Sequence, residues 1–467
     1  MGLHDRLSRQ GENGAAVAVA TNGHGPVTQP IVDPYAELKA RIHHACIAKL
    51  GPELFNQDST EELSDRVYRA VTEELTLDRT PLTREERREL VRQLTDDILG
   101  YGPLEQLLRD DSVTEIMVNA YDRVYIERNG KIELSESRFV DAAHVLRIID
   151  KIVSQVGRRV DEASPMVDAR LPDGSRVNAI IPPLALSGPT LTIRKFARDP
   201  YTVNDLISFG TLSPRAAQFL AACVKGKLNI LISGGTGTGK TTTLNAMSAF
   251  IPGDERIVTI EDAAELQLQQ EHVITLEARP PNIEGQGEVR IRELVKNALR
   301  MRPDRIIVGE CRGAETVDML QAMNTGHEGS LTTIHANSPR DALARTETLV
   351  LTAGFDMPLK AIRDQIASAF DLIIHTQRLV DGRRRITHIT EVARVEGDVI
   401  TLSDIFVAAF VDDAEGDQVS SKMRYTNIRP TFIEKLEQHG VTLPKSFFTS
   451  ETGAKVDVLR RGQRKSA

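Results

Sequence analysis

Apolar residues return every three to four positions in "DPYAELKARIHHACIAKL" and in "LTREERRELVRQLTDDILGYGPLEQLL", the spacing that lines one face of a helix. The two stretches predict a helical region over residues 33–109. The period then shortens. "VTEIMVN", "DRVYIERNGKIEL", "SRVNAIIPP" and "PTLTIRKF" are β-branched or alternating, and Asn129-Gly130 and Asp173-Gly174 are turn dipeptides. With the helix-spaced "AHVLRIIDKIVSQVG" among them, they predict a small α/β domain over 110–198. Asp199-Pro200 opens a linker, 199–215. From there "LNILIS", "RIVTI", "HVITLE", "DRIIVGE", "GSLTTIHA" and "DLIIHTQRL" are separated by helical stretches. Such alternation predicts a mostly parallel sheet covered on both faces, over 216–436. Residues 1–32, rich in Gly, Asn, Ala and Thr, read as a flexible tail, and the pattern fades into a charged tail over 437–467.

Composition narrows the class. A chain of 467 residues exceeds one comfortable core, and 40% hydrophobic with 27% charged residues is ordinary for a folded, soluble protein. A net charge of −8 repels polyanions, and 4% aromatic content without Trp leaves few platforms for stacking bases. Nucleic acid is therefore not an expected partner. The three cysteines, Cys46, Cys223 and Cys311, are scattered and show neither disulfide nor zinc spacing. No signal-peptide core or membrane-length apolar run is visible, which places the chain in the cytoplasm.

One segment carries specific chemistry. "LNILISGGTGTGKTTTLNAMSAF" runs an apolar strand into Gly234, Gly235, Thr236, Gly237, Thr238, Gly239, Lys240, Thr241 and Thr242, and then into a helix. This is the GxxxxGK[ST] phosphate loop in the strand-loop-helix context it requires. Glycines let backbone amides crowd phosphate oxygens where a Cβ would not fit, and the helix start adds donors and a favourable dipole. Lys240 is expected on the β- and γ-phosphates and the Thr241 hydroxyl on Mg²⁺.

Two other strand ends supply acids. "RIVTIED" offers Glu261 and Asp262, and "RIIVGE" offers Glu310. Parallel strands point their carboxyl ends at one crevice, so the three acids are expected to meet the phosphate loop, where Glu310 and Asp262 are candidate metal ligands and Glu310 and Glu261 catalytic carboxylates. Glu310 follows Gly309 rather than ending the apolar run directly, an unusual arrangement for a nucleotide-hydrolysing sheet. "NTGHEGSLTTIHANSP" adds His327 and His335; an imidazole there can sense the γ-phosphate, or it is a satisfied structural histidine.

Together the phosphate loop, "TIEDAAEL", "RIIVGECRG" and "GHEGSLTTIHANSP" resemble the secretion ATPase superfamily of type II and type IV secretion and type IV pilus assembly. In that family Gly-Glu normally replaces the usual Asp. "ARPPNIEGQGEVRIRELVKNALRMRPDRIIVGECRGAET" is most similar to the tight-adherence (Tad, or Flp) pilus ATPases, the CpaF-like branch. The resemblance implies an α/β fold with a RecA-like P-loop NTPase core, a smaller N-terminal α/β domain and an N-terminal helical region. It further implies an Mg²⁺-dependent ATP hydrolase, a homohexameric ring, and inner-membrane platform proteins as partners that hold the chain peripherally at the membrane. His335, and less firmly His327, gain phosphate-sensing roles. Arginines of the smaller domain, Arg170, Arg176 and Arg194, become candidates to complete the site, with Arg194 and Arg176 foremost; Arg300 and Arg312 flank the Glu310 strand. Two other readings stand beside the motor: a nucleic-acid translocase or helicase on the same core, and a nucleotide-binding scaffold that does not hydrolyse.

Overall fold

The computed structural model describes residues 35–51, 60–78, 80–196, 200–281, 286–411 and 420–448. The tail expected over 1–32 lies outside the described residues, as do residues 449–467. The chain divides into two compact units, one reaching Pro103 and including Arg138–Asp141, the other formed by Leu104–Ser137 and the chain from Ala142 onward.

The first unit holds helices α1 (Ala36–Leu50), α2 (Thr60–Leu77) and α3 (Arg84–Leu99). Leu38, Ile42, Cys46 and Leu50 recur every fourth position of α1 and pack with Val67, Val71 and Leu75 of α2 and Leu90, Leu94 and Ile98 of α3. The α2 stripe falls between the two periodic stretches quoted above. Thr83 caps α3, its hydroxyl accepting from the Glu86 amide while the Glu86 carboxylate accepts from the Thr83 amide. A reciprocal cap of this kind contributes about 1 kcal/mol.

The second unit opens with α4 (Glu105–Arg109), whose Leu107 carbonyl accepts from Lys195, so the expected helical region of 33–109 is shared between the units. A six-stranded sheet follows, built from β1 (Val113–Ala120), β2 (Arg123–Arg128), β3 (Lys131–Leu134), β4 (Met166–Arg170), β5 (Arg176–Ile180) and β6 (Thr190–Arg194) in the order β3-β2-β1-β6-β5-β4. Every neighbouring pair is antiparallel. The β2–β3 turn puts Asn129 at φ 51° and Gly130 at φ 75°, as a two-residue hairpin demands. Helix α5 (Ala142–Gln155) buries Val145, Ile148, Ile149 and Ile152.

Short α6 (Val203–Ser208) and α7 (Pro214–Lys225) lead into the larger sheet. Its elements are β7 (Ile230–Gly234), α8 (Lys240–Ser248), β8 (Ile257–Glu261), β9 (Val273–Glu277), α9 (Ile291–Ala298), β10 (Arg305–Val308), α10 (Glu315–Asn324), β11 (Leu331–His335), α11 (Pro339–Thr352), α12 (Leu359–Ala369), β12 (Leu372–Arg378), β13 (Arg384–Glu396), β14 (Val399–Val411), β15 (Ser420–Tyr425) and α13 (Ile433–Gln438). The order is β15-β14-β13-β12-β7-β11-β10-β8-β9. From β9 to β12 the strands are parallel, and β13 to β15 extend the sheet antiparallel. This is the RecA-like P-loop core that the sequence predicts.

Side-chain alternation in β7 explains the layering. Ile230 and Ile232 join the cluster under α7 and α8, whereas Leu231 joins the cluster under α9–α12. The expected linker is not loose, since Leu206 and Leu212 are buried in the first cluster. Packing also continues past residue 436, where Phe447 is buried and stacks on Phe219 at 6.2 Å between ring centroids.

Candidate active site

The parallel strands β7, β8, β10 and β11 deliver their carboxyl ends to one edge, with the phosphate loop rising from β7. Gly237 (φ 68°) and Gly239 (φ 95°) adopt left-handed backbone that other residues resist. At Gly234 a Cβ would stand 2.4 Å from Thr376 Oγ1 and 2.5 Å from Thr238 Oγ1. The two hydroxyls are 2.9 Å apart, and Thr238 also donates to the Gly235 carbonyl at 2.9 Å. The loop is thereby closed on itself and clipped to β12. Below it, Ser233 Oγ lies 2.9 Å from His375 Nδ1, and burial pushes that imidazole down to about 4, so it is neutral.

Lys240 heads α8, buried, and its ammonium donates to the Gly235 carbonyl at 3.0 Å. Burial lowers its pKa, opposed by the Glu310 charge. The ammonium is also 3.3 Å and 3.4 Å from the two nitrogens of His335, and His335 Nε2 is 3.2 Å from Glu310 Oε1. Burial and the Lys240 charge hold His335 below its ordinary value, neutral at pH 7. The tautomer that serves both neighbours carries its hydrogen on Nε2, donating to Glu310 and leaving Nδ1 to accept from Lys240. Lysine, imidazole and carboxylate thus form one chain across β7, β11 and β10.

Gly309 owes its place to Glu261. The Gly309 amide donates to the Ile260 carbonyl at 2.9 Å, and Thr333 Oγ1 donates to the Gly309 carbonyl at 2.7 Å. A Cβ there would lie 2.8 Å from Glu261 Cγ. Glycine therefore lets the last residue of β8 fold its carboxylate over β10, and Glu310 then emerges beyond it. Glu261 is buried, its oxygens accepting from the amides of Glu265 at 2.9 Å and Leu266 at 3.1 and 3.2 Å. Burial outweighs those donors and pushes its pKa up to about 7.

That shift has a stability signature. The carboxyl holds its proton more tightly folded than unfolded, so its contribution is complete below 4.5 and disappears as pH rises through about 7. The unfolding free energy of the wild type relative to Glu261→Gln is expected to fall by up to about 3 kcal/mol between pH 4.5 and pH 8. Urea unfolding at pH 5, 6 and 8 measures it; a difference that stays constant contradicts it.

The other candidates are distributed as follows. Asp262 turns to Arg312, with which it forms a close ion pair. Thr236 is exposed, and Thr241 and Thr242 are half-buried in the first turn of α8. His327 precedes the amino end of β11, the end opposite His335. Arg176 pairs with Glu265 at 3.0 Å and reaches the Ala263 carbonyl at 3.4 Å, while Arg170 pairs with Glu277 at 3.0 Å. Arg176 therefore leans on the segment that follows Glu261 and Arg170 on the end of β9, and Arg170 Nη2 and Arg176 Nε are buried without a hydrogen bond. Arg194 is half-exposed, 3.8 Å from Glu115, and its charge depresses Lys240. Arg300 is exposed and joins none of these contacts.

Thr376, His375 and Thr333 were not anticipated. A usable signal was polar residues crowding the carboxyl ends of parallel strands, as in "IIHTQR" and "LTTIH".

A nucleoside triphosphate fits this donor set: a buried ammonium bonded only to neutral partners, a loop no side chain can fill, and orphaned arginine donors alongside. Among the described residues no cluster of three His, Cys, Asp or Glu could hold a metal unaided. Mg²⁺ suits such a place because it binds through one or two carboxylates, water and substrate phosphates. Glu310 and the Thr241 hydroxyl would be the protein groups to hold it.

A phosphate loop at the edge of a parallel sheet, with lysine, imidazole and glutamate in contact beside it, defines the class: a P-loop nucleotide-binding core. Residues 97–404 match the family described as Type II/IV secretion system protein, and the chain belongs to that family of secretion ATPases, whose reaction is ATP hydrolysis. A Mycobacterium tuberculosis protein named provisionally for conjugal transfer is 42% identical over 315 residues, covering 66% of this chain and 89% of the relative. The type IV secretion system protein VirB11 of Bartonella henselae is 30% identical over 323 residues, covering 62% and 90%. Among solved structures, the VirB11 ATPase of Brucella suis, in complex with sulphate, is 28% identical with a TM-score of 0.34 and covers 62% and 95%.

Proposed function

We propose that the chain is an Mg²⁺-dependent ATPase motor that works as a homohexamer beside the inner membrane and drives assembly of a tight-adherence type pilus or a related secretion machine. The observation that carries the hydrolytic part is the Lys240–His335–Glu310 chain beside the glycine-rich loop. Lys240 binds the phosphates, Glu310 orients and deprotonates the attacking water, and His335 holds Glu310 and registers the γ-phosphate through Lys240. Bound Mg²⁺ would supply charge neutralisation at the phosphate oxygens. Glu261 anchors the segment on which Arg176 rests, so this segment joins the smaller sheet to the site. Arg194 and Arg176 are the arginines proposed to meet developing phosphate charge, worth about 10³–10⁵ in turnover where such a residue is fully engaged.

Hydrolysis that opens and closes the space between the two sheets supplies the motion, which platform proteins of the membrane receive. No helix among the described residues is long and apolar enough to cross a membrane, so attachment through such partners is part of the proposal. The test is electron microscopy of the full chain with a slowly hydrolysed ATP analogue, together with turnover measured with the platform protein or with DNA added. Six-membered rings and stimulation by the platform protein are expected. Persistent monomers, or stimulation by DNA alone, would overturn the motor assignment.

A further inference from the structure

The hairpin joining β12 and β13 carries two arginines in direct register, Arg378 opposite Arg384. Like charges facing each other across an antiparallel pair repel unless a counter-charge stands between them. Glu127 of β2 is that counter-charge. Its Oε1 is 3.6 Å from Arg378 Nη2 and 4.0 Å from Arg384 Nη2, buried and with no hydrogen bond made. Arg378 also donates to the carbonyl of Gly130 at the β2–β3 turn. Two hairpins, one from each sheet, therefore meet through this trio. On its other side Arg384 Nε donates to the Gly237 carbonyl, at the crest of the phosphate loop, at 2.9 Å.

That last bond holds the Gly237 end of a peptide whose other end is held by the Thr238 hydroxyl. Gly237 has no Cβ and sits at φ 68°, so its own side adds little to the orientation of the peptide. In a planar trans peptide the Thr238 amide points opposite to the Gly237 carbonyl. Drawing the carbonyl out to Arg384 sends the Thr238 N–H away from Arg384 and leaves it clear of that guanidinium.

Resting on the ATPase reading above, we propose that Arg384 is a positioning residue for the phosphate loop, and that Glu127 of the smaller sheet sets where Arg384 stands. Displacement of the β2–β3 hairpin then alters nucleotide affinity through Arg384. The device is a mechanical link from the smaller sheet to the phosphate loop that involves no residue reaching the nucleotide.

The test uses the full chain and the variants Arg384→Ala, Arg384→Lys, Glu127→Gln and Arg384→Ala/Glu127→Gln. Affinity is read with a fluorescent ATP analogue, turnover by phosphate release. Arg384→Ala is expected to raise Kd and KM about tenfold, the scale of one lost charge-assisted hydrogen bond, with little change in kcat. Arg384→Lys, which can still donate to the carbonyl, recovers most of the affinity. Glu127→Gln alone changes Kd about threefold and changes nothing further in the Arg384→Ala background. A direct repulsion between Glu127 and the triphosphate would persist there unchanged. The inference is overturned if Arg384→Ala stays within about twofold of the wild type, or if Glu127→Gln has the same effect in both backgrounds. Should Arg384→Ala not fold, the same cycle is read with Arg384→Met, which keeps much of the side-chain stem but cannot donate. A wild type that binds nucleotide without releasing phosphate refutes the hydrolytic reading and leaves the affinity cycle to decide this one.

Discussion

Glu310→Gln is expected to lower kcat for ATP hydrolysis about 10²–10⁴-fold while leaving ATP affinity within about twofold of the wild type. The substitution keeps the shape of the side chain and an oxygen that accepts from His335 Nε2, now 3.2 Å away, so the Lys240–His335 contact and the phosphate loop survive. What disappears is the charge and basicity needed to orient and deprotonate water. Phosphate release gives the first quantity and titration with a fluorescent nucleotide the second. Unchanged turnover would remove Glu310 from its assigned role, and equal losses of turnover and affinity would make it a binding residue.

Gly309→Ala is the second large effect. A Cβ 2.8 Å from Glu261 Cγ and 3.3 Å from Oε2 forces the buried Glu261 side chain off the amides of Glu265 and Leu266. Overpacking of this kind costs about 1–3 kcal/mol. Turnover should fall about tenfold or more, since the segment that meets Arg176 loses its anchor. A partner variant isolates the cause: Glu261→Ala removes the colliding Cγ, so most of the stability cost of Gly309→Ala should vanish in that background. Thermal unfolding of the four proteins checks this, and additive costs would contradict the packing account.

The parts of the fold most legible in the sequence were those in which periodicity and burial coincide. The strands of the parallel sheet are short apolar runs, "LNILIS" and "RIIV" among them, because both faces are covered by helices, and the phosphate loop announces itself through glycines, of which Gly234, Gly237 and Gly239 resist a side chain. The long antiparallel strands β13 and β14 were missed. Their bulges at Ile389/Thr390 and between Val392 and Val395 break the alternation on which a two-residue period depends. Helix α2 lay between more obviously periodic neighbours.

At the site, strand-end position nominated Glu261 and Glu310 and the family resemblance added His335, but neither could give their partners. Asp262 follows Glu261 directly and yet faces Arg312, because successive residues at a strand end point apart. His327 and His335 share one segment and lie toward opposite ends of β11. The reason for Gly309 needed two strands brought side by side, which no local pattern contains. Arg384 and Glu127 are 257 positions apart, and their approach is a property of the sheets.

The central claim is that the loop from Gly234 to Thr241, Lys240 and Glu310 address a single bound triphosphate. Its most direct test is an experimental structure of the full chain with Mg²⁺ and a slowly hydrolysed ATP analogue. The account predicts phosphates enclosed by the loop, Lys240 Nζ on the terminal phosphate and the Glu310 carboxylate turned toward it within reach of one water. A nucleotide seated elsewhere, or Glu310 directed away from that phosphate, would contradict it.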